Sequence, residues 1–443
     1  MGATYQQAVD YIEEIPRFTT KNSLDHTRDC LRRLGDPQKS FRVIHVAGTN
    51  GKGSTCAFLD SVLRQAGYAC GLFTSPHLVS VKERFMIGGK MVEDALFLNA
   101  FERVKTMVDE LILQGLPHPS YFEFLFLMGA LIFADSKRKI VVLETGLGGR
   151  LDATTAISDP LICVITSISM DHMQYLGNTL EEIAGEKAGI IVPEVPVVYD
   201  ANDPRAAAVI AAKARQSHSQ AFPQVWEDAC IVSHDSDGIN FRLIQDGPEG
   251  ILFHLPFIAR YQVMNASLAL KTIRLLRRLP AGNGHFRVSE EEIREGFSLT
   301  RWAGRMEKVL DDVVIDGAHN EDGIRRFIET AVYFQKDHDI ELLFSAVSDK
   351  DYQHMVRQIC ERLKLKRVTV TQVGGYRQVP VPELAAQFEK NGVQGVFCES
   401  DPEKAFCHAL EMKGSRSILF CVGSLYLVGL IKGILAKPQE EIV

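Results

Sequence analysis

The sequence predicts an α/β protein with mainly parallel β-sheets, arranged as a large N-terminal domain followed by a smaller α/β domain. Short runs rich in β-branched residues alternate with helical patterns through most of the 443 residues. Several of these runs are almost continuously apolar, which is typical of strands covered on both faces by helices. The segments between the runs are long enough for the crossover helices that parallel strands require.

Ten runs are predicted as strands, and they form two groups along the chain. The first group covers 41–47, 68–74, 139–145, 161–168 and 195–200, and the second covers 313–316, 340–346, 367–373, 395–400 and 417–423. Residues 225–256 differ, because alternating residues and D-G and G-P turn signals predict antiparallel hairpin strands inserted in the first group. A helical pattern ends near 297–305 and a new strand begins at Val309, which predicts domains at 1–298 and 299–443.

The composition excludes several classes of protein. Lys and Arg number 49 against 56 Asp and Glu, a net charge of −7 that argues against a general nucleic-acid binder. The nine cysteines include no C-x-x-C pair, which favours a reducing cytoplasm over a disulfide framework. The longest apolar run, 418–431, is shorter than the roughly 20 residues of a membrane-spanning helix, and the N-terminus does not resemble a signal peptide. A soluble protein is expected.

The strongest local signal is a loop between a predicted strand and a predicted helix. Residues 43–55 have the sequence VIHVAGTNGKGST, and the helix is predicted from Thr55 to Ala66. Glycines let backbone N–H groups turn toward an anion, and a helix N-terminus adds partial positive charge. Lys52 is expected to meet nucleotide phosphates, and Ser54 or Thr55 to offer a hydroxyl to Mg²⁺. The alternative is an ordinary glycine-rich turn, since a glycine separates Lys52 from Ser54 and the strict motif is not met.

Two further strand ends carry acidic or metal-binding side chains. Glu144 ends one predicted strand, and Asp171-His172 follow the next. Ligands bind at the carboxyl ends of parallel strands, so Glu144 is placed to hold Mg²⁺. A helix-capping or surface carboxylate is its alternative. Asp-His alone is compatible with a metal ligand, a general base or a polar turn, but its convergence with Lys52 and Glu144 favours a metal. The glycine-rich run after Glu144 does not fit the dinucleotide motif, which needs glycine where Leu151 stands.

Two positions in the first domain are ambiguous. Lys187 lies in a segment of small residues, where a lone lysine is usually a solvated charge. Ser75-Pro76-His77 follows a predicted strand and is as compatible with a turn as with a site.

The second domain repeats the arrangement of a strand followed by a polar loop. Asp316 is placed to accept hydrogen bonds from a ribose, with His319 close by, although capping of the next helix by Asn320 is an equal alternative. Arg305 is a candidate clamp on phosphate, because a guanidinium binds such oxygens in a bidentate manner. An ion pair with Glu307 is its alternative.

These segments together resemble the folylpolyglutamate synthase and dihydrofolate synthase family, within the Mur-ligase-like ATP-dependent amide ligases. Eleven segments carry the resemblance, in family order and across nearly the whole chain. They are HVAGTNGKGST (45–55), TSPHL (74–78), KERF (82–85), YFEF (121–124), LETGLGGRLDATTA (143–156), SISMDHMQYLG (167–177), GEKAGII (185–191), YQVMNASLAL (261–270), GRME (304–307), DGAHN (316–320) and GSLYLVG (423–429).

The resemblance implies a P-loop domain and a C-terminal Rossmann-like domain, with ATP and folate bound between them. The residues that it assigns to ATP are Gly48, Thr49, Asn50, Gly51, Lys52, Gly53, Ser54, Thr55, Asn265, Arg305, Asp316 and His319. Those that it assigns to Mg²⁺ are Ser54, Ser75, Glu144, His172 and, if carboxylated by CO₂, Lys187. Those that it assigns to the substrate are Ser75, Pro76, His77 and Arg84 in a mobile loop at 75–89, Tyr121 and Phe122 near the pterin, and Arg150 and Asp152.

The resemblance also implies a reaction. ATP phosphorylates a carboxylate of dihydropteroate or folate, and L-glutamate attacks the acyl phosphate, with Lys52, Glu144, His172 and Lys187 as the catalytic set. A monomer is expected, with no nucleic-acid or membrane partner. Three alternatives stay open at this point: another Mur-type amino-acid ligase, a small-molecule P-loop kinase, and a non-catalytic nucleotide-binding protein. The absence of G-x-S-x-G and H-E-x-x-H motifs disfavours an α/β-hydrolase and the commonest zinc proteases.

Overall fold

Nineteen strands are found in the computed structural model, which describes residues 3–16, 22–281, 284–374 and 378–436. In chain order they are β1 (Arg42–Ala47), β2 (Cys70–Phe73), β3 (Phe85–Ile87), β4 (Lys90–Met91), β5 (Ile140–Glu144), β6 (Ile162–Ile165), β7 (Val197–Asp200), β8 (Ala221–Gln224), β9 (Ala229–Asp235), β10 (Gly238–Leu243), β11 (Phe253–Leu255), β12 (Pro280–Ala281), β13 (Gly284–His285), β14 (Glu307–Leu310), β15 (Val313–Ile315), β16 (Asp339–Phe344), β17 (Leu365–Val370), β18 (Phe397–Cys398) and β19 (Ser417–Val422).

Fifteen α-helices accompany these strands in the same described residues. They are α1 (Tyr5–Glu14), α2 (Leu24–Arg33), α3 (Lys52–Gln65), α4 (Asp94–Leu113), α5 (Tyr121–Asp135), α6 (Met173–Leu176), α7 (Leu180–Ala188), α8 (Pro204–Gln216), α9 (Tyr261–Leu276), α10 (Glu290–Leu299), α11 (Glu321–Phe334), α12 (Tyr352–Arg362), α13 (Val381–Lys390), α14 (Pro402–Glu411) and α15 (Leu425–Leu435). Of these, only α4 reaches 20 residues. A search of the described helices finds none with the length and apolar character needed to span a membrane.

The first sheet has eight strands in the order β4-β3-β2-β5-β1-β6-β7-β8. The six strands from β2 to β8 in this order are parallel, and β3 and β4 add an antiparallel edge. Strand β1 lies between β5 and β6, and Val46 is in register with Glu144. The loops that follow β1, β5 and β6 therefore leave the sheet side by side at its carboxyl edge.

The second sheet has six strands in the order β14-β15-β19-β16-β17-β18. Its strands are parallel except for β14, which pairs antiparallel with β15. Apolar side chains of α11, α12 and α13 pack on one face of this sheet. The mainly parallel α/β class predicted from alternating strands and helices is thus confirmed.

All ten predicted strand segments contain a strand, with ends shifted by a few residues. The segment at 225–256 contains β9, β10 and β11, which form a three-stranded sheet in the order β11-β10-β9. Helix α3 begins at Lys52, three residues before the predicted start at Thr55. Strand β14 contains Val309, where a new strand was predicted to begin. Strands β3, β4, β8, β12 and β13 were not predicted, because they are too short to give a continuous apolar run.

The chain contacts separate two units. The first consists of 1–232, 240–255 and 263–300, and the second consists of 233–239, 256–262 and 301–443. Residues 233–239, within the predicted hairpin segment, and residues 256–262, at its end, thus group with the C-terminal unit. Helix α9 begins in the second unit, at Tyr261, and continues in the first.

Helix α5 is an apolar helix that lies in the core of the first unit. Helix α5 has the sequence YFEFLFLMGALIFAD, and twelve of its fifteen residues are buried. It packs with α1 and α4 on side chains of β2 and β5, including Phe73 and Leu143. A capping box between Ser120 and Glu123 satisfies backbone N–H groups at its start. Helix α5 therefore begins at Tyr121, in the YFEF segment singled out above.

Candidate functional site

The loop between β1 and α3 needs glycine at two positions. Gly48 has φ +149°, and a Cβ there would lie 1.9 Å from Oγ1 of Thr166. Gly51 has φ +87°, and a Cβ there would lie 2.3 Å from Oδ1 of Asn265. Both positions thus require glycine. The positive φ disfavours any residue with a side chain, and the neighbouring atoms leave no room for a Cβ. The conformation of this loop is therefore tightly constrained, as a phosphate-binding turn requires.

Residues that follow β6 hold this loop from one side. Thr166 donates a hydrogen bond from Oγ1 to the carbonyl of Asn50 at 2.8 Å. The backbone N–H of Thr49 donates to the carbonyl of Ser167 at 2.8 Å, and the N–H of Ser169 donates to Oγ1 of Thr49 at 3.1 Å. Sequence reasoning missed Thr166, which lies within the predicted strand at 161–168. The signal that could have found it is a polar residue at the end of the apolar run LICVI.

Two lysines converge on the carbonyl oxygen of Gly48. Lys52 donates to it at 3.1 Å and to the carbonyl of Thr49 at 3.1 Å. Lys187, which is buried, donates to the same Gly48 oxygen at 2.8 Å. Lys187 is therefore not a solvated surface lysine, and its position beside the loop agrees with the place that the family resemblance gives it.

Hydroxyl groups near the start of α3 are available to a ligand. Oγ1 of Thr55 and Oγ1 of Thr145 are buried, and neither has a hydrogen-bond partner among the described residues. The N-cap of α3 is Gly51, so no N-cap side chain bonds to the first N–H groups of this helix. Buried polar atoms normally have partners, so these two hydroxyls and the helix N-terminus together suit an anion with a divalent cation.

Glu144 is buried at the end of β5, next to the loop. Its Oε2 accepts a hydrogen bond from the backbone N–H of Ser75 at 3.0 Å. Its Oε1 lies 4.0 Å from Nζ of Lys52. The structure thus links four predicted residues through short contacts. Lys52 and Lys187 share the Gly48 carbonyl, Glu144 lies beside Lys52, and Ser75 bonds to Glu144.

The residues present fit a magnesium ion of the kind that accompanies nucleotides. Within the described part of the chain, no group of three or more His, Cys, Asp and Glu side chains could hold a metal. Mg²⁺ in nucleotide sites is held by one or two protein oxygens together with substrate phosphates and water. Glu144 and the Thr55 hydroxyl supply this type of oxygen. A dense protein cage is not needed for this role.

His172 occupies a strained position at the N-cap of α6, with φ +50°. Its backbone N–H donates to Oδ1 of Asp171 at 2.8 Å, and its ring nitrogen lies 3.9 Å from Oδ2 of the same residue. It follows Ser169, which bonds to the phosphate loop through Thr49. The loop after β6 therefore brings His172 near this edge of the sheet, and its role as a metal ligand stays a prediction.

A second group of predicted residues lies in the loop after β2. Arg84 is buried, donates from Nε to Nδ1 of His77 at 2.9 Å, and lies with its guanidinium 5.5 Å from the ring centre of Tyr121. Glu83, which sequence reasoning missed, accepts hydrogen bonds from three consecutive N–H groups, at residues 78–80. The loop of His77 and Arg84 is thus folded on its own carboxylate and presents its cation to an aromatic ring.

Phe122 contacts both the end of β2 and the backbone that follows Glu144. Its ring packs edge-on against Phe73, with centres 5.8 Å apart. A Cβ at Gly146 would lie 2.7 Å from the Phe122 ring, so the backbone after Glu144 rests directly on this side chain. Phe122 is thus a half-buried aromatic ring next to the backbone that follows Glu144, and its contact with a substrate stays a prediction.

Two predicted substrate residues are engaged within the protein. Arg150 is exposed and pairs with Glu186 at 2.7 Å. Asp152 is buried, and its carboxylate accepts from the N–H groups of Gly146 and Leu147, each at 2.9 Å. The glycine-rich run after Glu144 therefore closes on its own carboxylate. This explains in physical terms why that run does not form a second phosphate loop.

The second unit organises its predicted residues around a buried carboxylate. Asp316 accepts hydrogen bonds from the Tyr261 hydroxyl at 3.1 Å, from the N–H of Met306 at 2.8 Å and from the N–H of Ala318 at 2.8 Å. Burial raises the pKa of Asp316, while the nearby Arg305 guanidinium acts to lower it. Asp316 thus holds the segment at Met306, directly before β14, and its contact with a ribose stays a prediction.

His319, Asn320 and Arg305 lie beside Asp316 in this unit. His319 contacts the Gly317 carbonyl through Nδ1 at 2.7 Å. Asn320 caps α11 by accepting from the N–H of Gly323 at 2.8 Å, as the capping alternative foresaw. The expected partner of Arg305, Glu307, forms an ion pair with Lys432 at 2.6 Å.

Two domain families match the chain. Residues 118–273 match the Mur ligase middle domain, and residues 304–425 match the glutamate ligase domain of Mur ligases. The first region includes Glu144 and Lys187, the second includes Asp316, and residues 274–303 separate them.

Curated relatives and solved structures match nearly the whole chain. A dihydrofolate synthase/folylpolyglutamate synthase of Bacillus subtilis is 34% identical, with 98% of this chain and 99% of the relative covered. A folylpolyglutamate synthase of Lacticaseibacillus casei is 32% identical, with 97% and 98% covered. A Mycobacterium tuberculosis folylpolyglutamate synthase complexed with ADP has a TM-score of 0.86 at 27% identity, with 98% of each chain covered. An FPGS–AMPPCP–folate complex has a TM-score of 0.80 at 28% identity, with 98% and 100% covered.

Proposed function

Because this chain belongs to the folylpolyglutamate synthase and dihydrofolate synthase family of Mur ligases, we infer that it is an ATP-dependent ligase that joins L-glutamate to a folate or dihydropteroate carboxylate. The single observation that carries this inference is the full-length match to enzymes of that activity. The arrangement of Lys52, Glu144 and the glycine loop supplies the chemistry that the activity needs.

The reaction activates a carboxylate that an amine cannot attack directly. The γ-phosphoryl group of ATP is transferred to a carboxylate oxygen, which gives an acyl phosphate and ADP. The α-amine of glutamate then attacks the carbonyl carbon, an amide bond forms, and the phosphate leaves while the amine loses a proton. Phosphoryl transfer of this type is catalysed chiefly by positioning and by neutralising phosphate charge.

The residues around β1 and β5 carry the phosphate end of the reaction in this proposal. The loop at 48–55 cradles the phosphates, and Lys52 moves from the carbonyls of Gly48 and Thr49 to a phosphate oxygen. Glu144 and the hydroxyls of Ser54 and Thr55 would hold Mg²⁺, which neutralises phosphate charge when bound.

Further ligands and nucleotide contacts extend this set. Ser75, His172 and a carboxylated Lys187 are the additional magnesium ligands that we propose. The proposed nucleotide contacts beyond the loop are Asn265, Arg305, Asp316 and His319. Burial of Lys187 beside the Gly48 carbonyl supports a specialised role for this side chain, because lysines are rarely buried unless they are paired.

The loop at 75–84 and the start of α5 carry the pteridine end of the substrate in this proposal. The Arg84 guanidinium over the Tyr121 ring and the half-buried ring of Phe122 suit a flat, polar ring system. Pro76, His77, Arg150 and Asp152 complete the proposed substrate-binding set.

We also propose that the protein acts as a cytoplasmic monomer. All nine cysteines are free, and five of them are buried, which suits a reducing compartment. Size-exclusion chromatography with light scattering, read against the 49.4 kDa of one chain, tests the monomer.

The activity is tested with purified protein, ATP, Mg²⁺ and labelled L-glutamate, supplied separately with dihydropteroate and with tetrahydrofolate. We expect label to enter the pteroyl compound with release of one phosphate per amide formed. Label with dihydropteroate alone, with tetrahydrofolate alone or with both assigns the synthase type. ATP hydrolysis without label transfer to either substrate would overturn the proposal.

A further inference from the structure

A histidine is buried in the central strand of the first unit, outside the set of residues discussed so far. His45 lies on β1, three residues before Gly48, and its side chain is almost fully enclosed. Its Nε2 lies 2.8 Å from Oγ1 of Thr154. A buried histidine with one defined partner is costly to retain for packing alone, because an apolar residue would fill the same space.

The hydrogen bonds around Thr154 fix the direction of this contact. The Thr154 hydroxyl lies 2.6 Å from Oδ1 of Asp152, and the Thr154 N–H donates to the same oxygen at 3.0 Å. The Asp152 carboxylate accepts every bond described for it, so the single Thr154 proton points to Asp152. The Thr154 oxygen must then accept from His45, which places the imidazole proton on Nε2.

Burial supports the same protonation state from an independent direction. It lowers the pKa of His45 to about 3, so the ring is neutral throughout the physiological range. A neutral ring with its proton on Nε2 is the tautomer that the hydrogen-bond pattern requires.

The relay ends on the loop that joins the proposed magnesium ligand to the proposed substrate pocket. Asp152 binds the N–H groups of Gly146 and Leu147, directly after Glu144. The backbone of Gly146 in turn rests on the Phe122 ring. A shift of the 145–152 loop would therefore move the groups that meet the carboxylate-bearing substrate.

The phosphate loop is secured separately. Thr49 and Asn50 are held by Thr166, Ser167 and Ser169 after β6, and none of these bonds involves the relay. Damage to the relay should therefore affect the pteroyl substrate and the chemical step more than the binding of ATP.

We propose that His45, Thr154 and Asp152 form a positioning relay that sets the 145–152 loop for the pteroyl substrate. The proposal rests on the ligase function inferred above. None of the three side chains needs to touch a reacting atom. Thr154 is the central member, because its hydroxyl both accepts a hydrogen bond from the His45 N–H and donates one to the Asp152 carboxylate.

The test compares Thr154→Val, which replaces the hydroxyl with a methyl group, with Thr154→Ser, which keeps it. We expect kcat/KM for the pteroyl substrate to fall about tenfold or more in Thr154→Val, since displacements near 1 Å can cost up to about a hundredfold. The KM for ATP should stay within about twofold of wild type. Thr154→Ser should regain most of the loss.

A double variant separates positioning from stability. Thr154→Val leaves the His45 N–H buried without an acceptor, whereas adding His45→Leu removes that unsatisfied donor, so the double variant should melt at a higher temperature than Thr154→Val. Its kcat/KM for the pteroyl substrate should nevertheless stay low. If Thr154→Val does not fold, the comparison of the double variant with Thr154→Ser carries the test.

The control is Thr272→Val, at a buried helix residue whose hydroxyl donates only to the Leu268 carbonyl among the described contacts. We expect wild-type kinetics from it. The proposal is overturned if Thr154→Val has wild-type constants, if Thr154→Ser is no better than Thr154→Val, or if activity returns together with stability in the double variant. Failure of wild-type protein to incorporate glutamate would instead count against the ligase function.

Discussion

The ammonium nitrogen of Lys52 lies 4.0 Å from a carboxylate oxygen of Glu144, and the two residues follow neighbouring parallel strands. Neither charge is left uncompensated in this buried region, because Lys52 also bonds to loop carbonyls and Glu144 to the Ser75 N–H. Binding of a magnesium nucleotide offers each side chain a stronger partner of opposite charge. The pair is thus a resting arrangement that the substrate replaces.

Replacement of either member should abolish catalysis while the fold remains. We expect Lys52→Ala and Glu144→Ala each to lower glutamate incorporation by at least about a hundredfold, since both neutralise charge at the transferring phosphoryl group. Circular dichroism and thermal melting should show folded protein. The measurement is label transfer at saturating ATP and pteroyl substrate.

Lys39→Ala is the matched control, since this lysine is exposed and pairs only with the nearby Asp36 among the described ion pairs. It should retain wild-type turnover, because exposed pairs contribute little. Near-normal turnover in Lys52→Ala or Glu144→Ala would contradict the assigned role of that residue.

The glycines of the phosphate loop give a second prediction. Gly48→Ala and Gly51→Ala should weaken ADP binding by at least about tenfold and lower the melting temperature, because each added methyl group meets a side-chain oxygen at 1.9 Å or 2.3 Å. Gly433→Ala, within α15, is the control: a Cβ there meets no atom within 4 Å. It should raise the free energy of unfolding by about 0.5–1 kcal/mol. Calorimetric titration with ADP and thermal melts measure both effects.

Unchanged ADP affinity in Gly48→Ala would show that the loop can move away from Thr166. The phosphate loop would then lack the rigidity that its contacts indicate.

The sequence predicts the parts of this fold that depend on local pattern. The apolar runs identify the parallel strands, and the glycines and Lys52 identify the phosphate loop, because each signal lies within a few consecutive residues. The strand predicted at 139–145 differs from β5 (Ile140–Glu144) by one residue at each end. The residues that contact the phosphate loop from neighbouring strands depend on the strand order, which is a tertiary property. Thr166 was missed for this reason.

Buried polar side chains mark the other limit of sequence reasoning. The sequence does not show whether His45 is a ligand, a base or a member of a relay. The short distance between its Nε2 and the Thr154 hydroxyl distinguishes these roles. Asp152 was assigned to substrate from the family resemblance, whereas the structure adds hydrogen bonds to its own loop. Pairing across more than a hundred residues leaves no trace in local periodicity.

Glu83 provides a third prediction, on the loop proposed to meet the substrate. Its carboxylate binds the N–H groups of residues 78–80 at 2.8–2.9 Å. Glu83→Ala should raise KM for the pteroyl substrate by about tenfold, since the loop that carries His77 and Arg84 loses its internal anchor. KM for ATP should change by less than about twofold. Steady-state kinetics with each substrate varied in turn measure the two constants.

Glu93→Ala is the control for loss of a nearby surface charge, because Glu93 precedes α4 and provides no side-chain cap to it. It should leave both constants at their wild-type values. Equal rises in both KM values for Glu83→Ala would indicate a general loss of structure and contradict the loop-specific role.

The neutral state of His45 gives a prediction for stability against pH. Its pKa is about 3 in the folded protein and about 6.5 in the unfolded chain, so below pH 6.5 the unfolded state binds a proton that the folded state does not. The free energy of unfolding should therefore fall with decreasing pH, by about 1.4 kcal/mol per unit between pH 6.5 and pH 3 from this group. At pH 5 the loss relative to pH 8 is about 2 kcal/mol. Urea denaturation at pH 5, 6, 7 and 8 measures it.

His45→Gln is the matched variant, since it keeps an N–H donor toward Thr154 and cannot titrate. Its stability should be lower than that of wild type at pH 8, and the difference should shrink by about 2 kcal/mol at pH 5. His234, whose pKa burial also lowers, is present in both proteins and cancels in the comparison. Parallel pH curves for the two proteins would mean that the pKa of His45 is the same in the folded and the unfolded protein. That result would contradict a ring kept neutral by burial below pH 6.5.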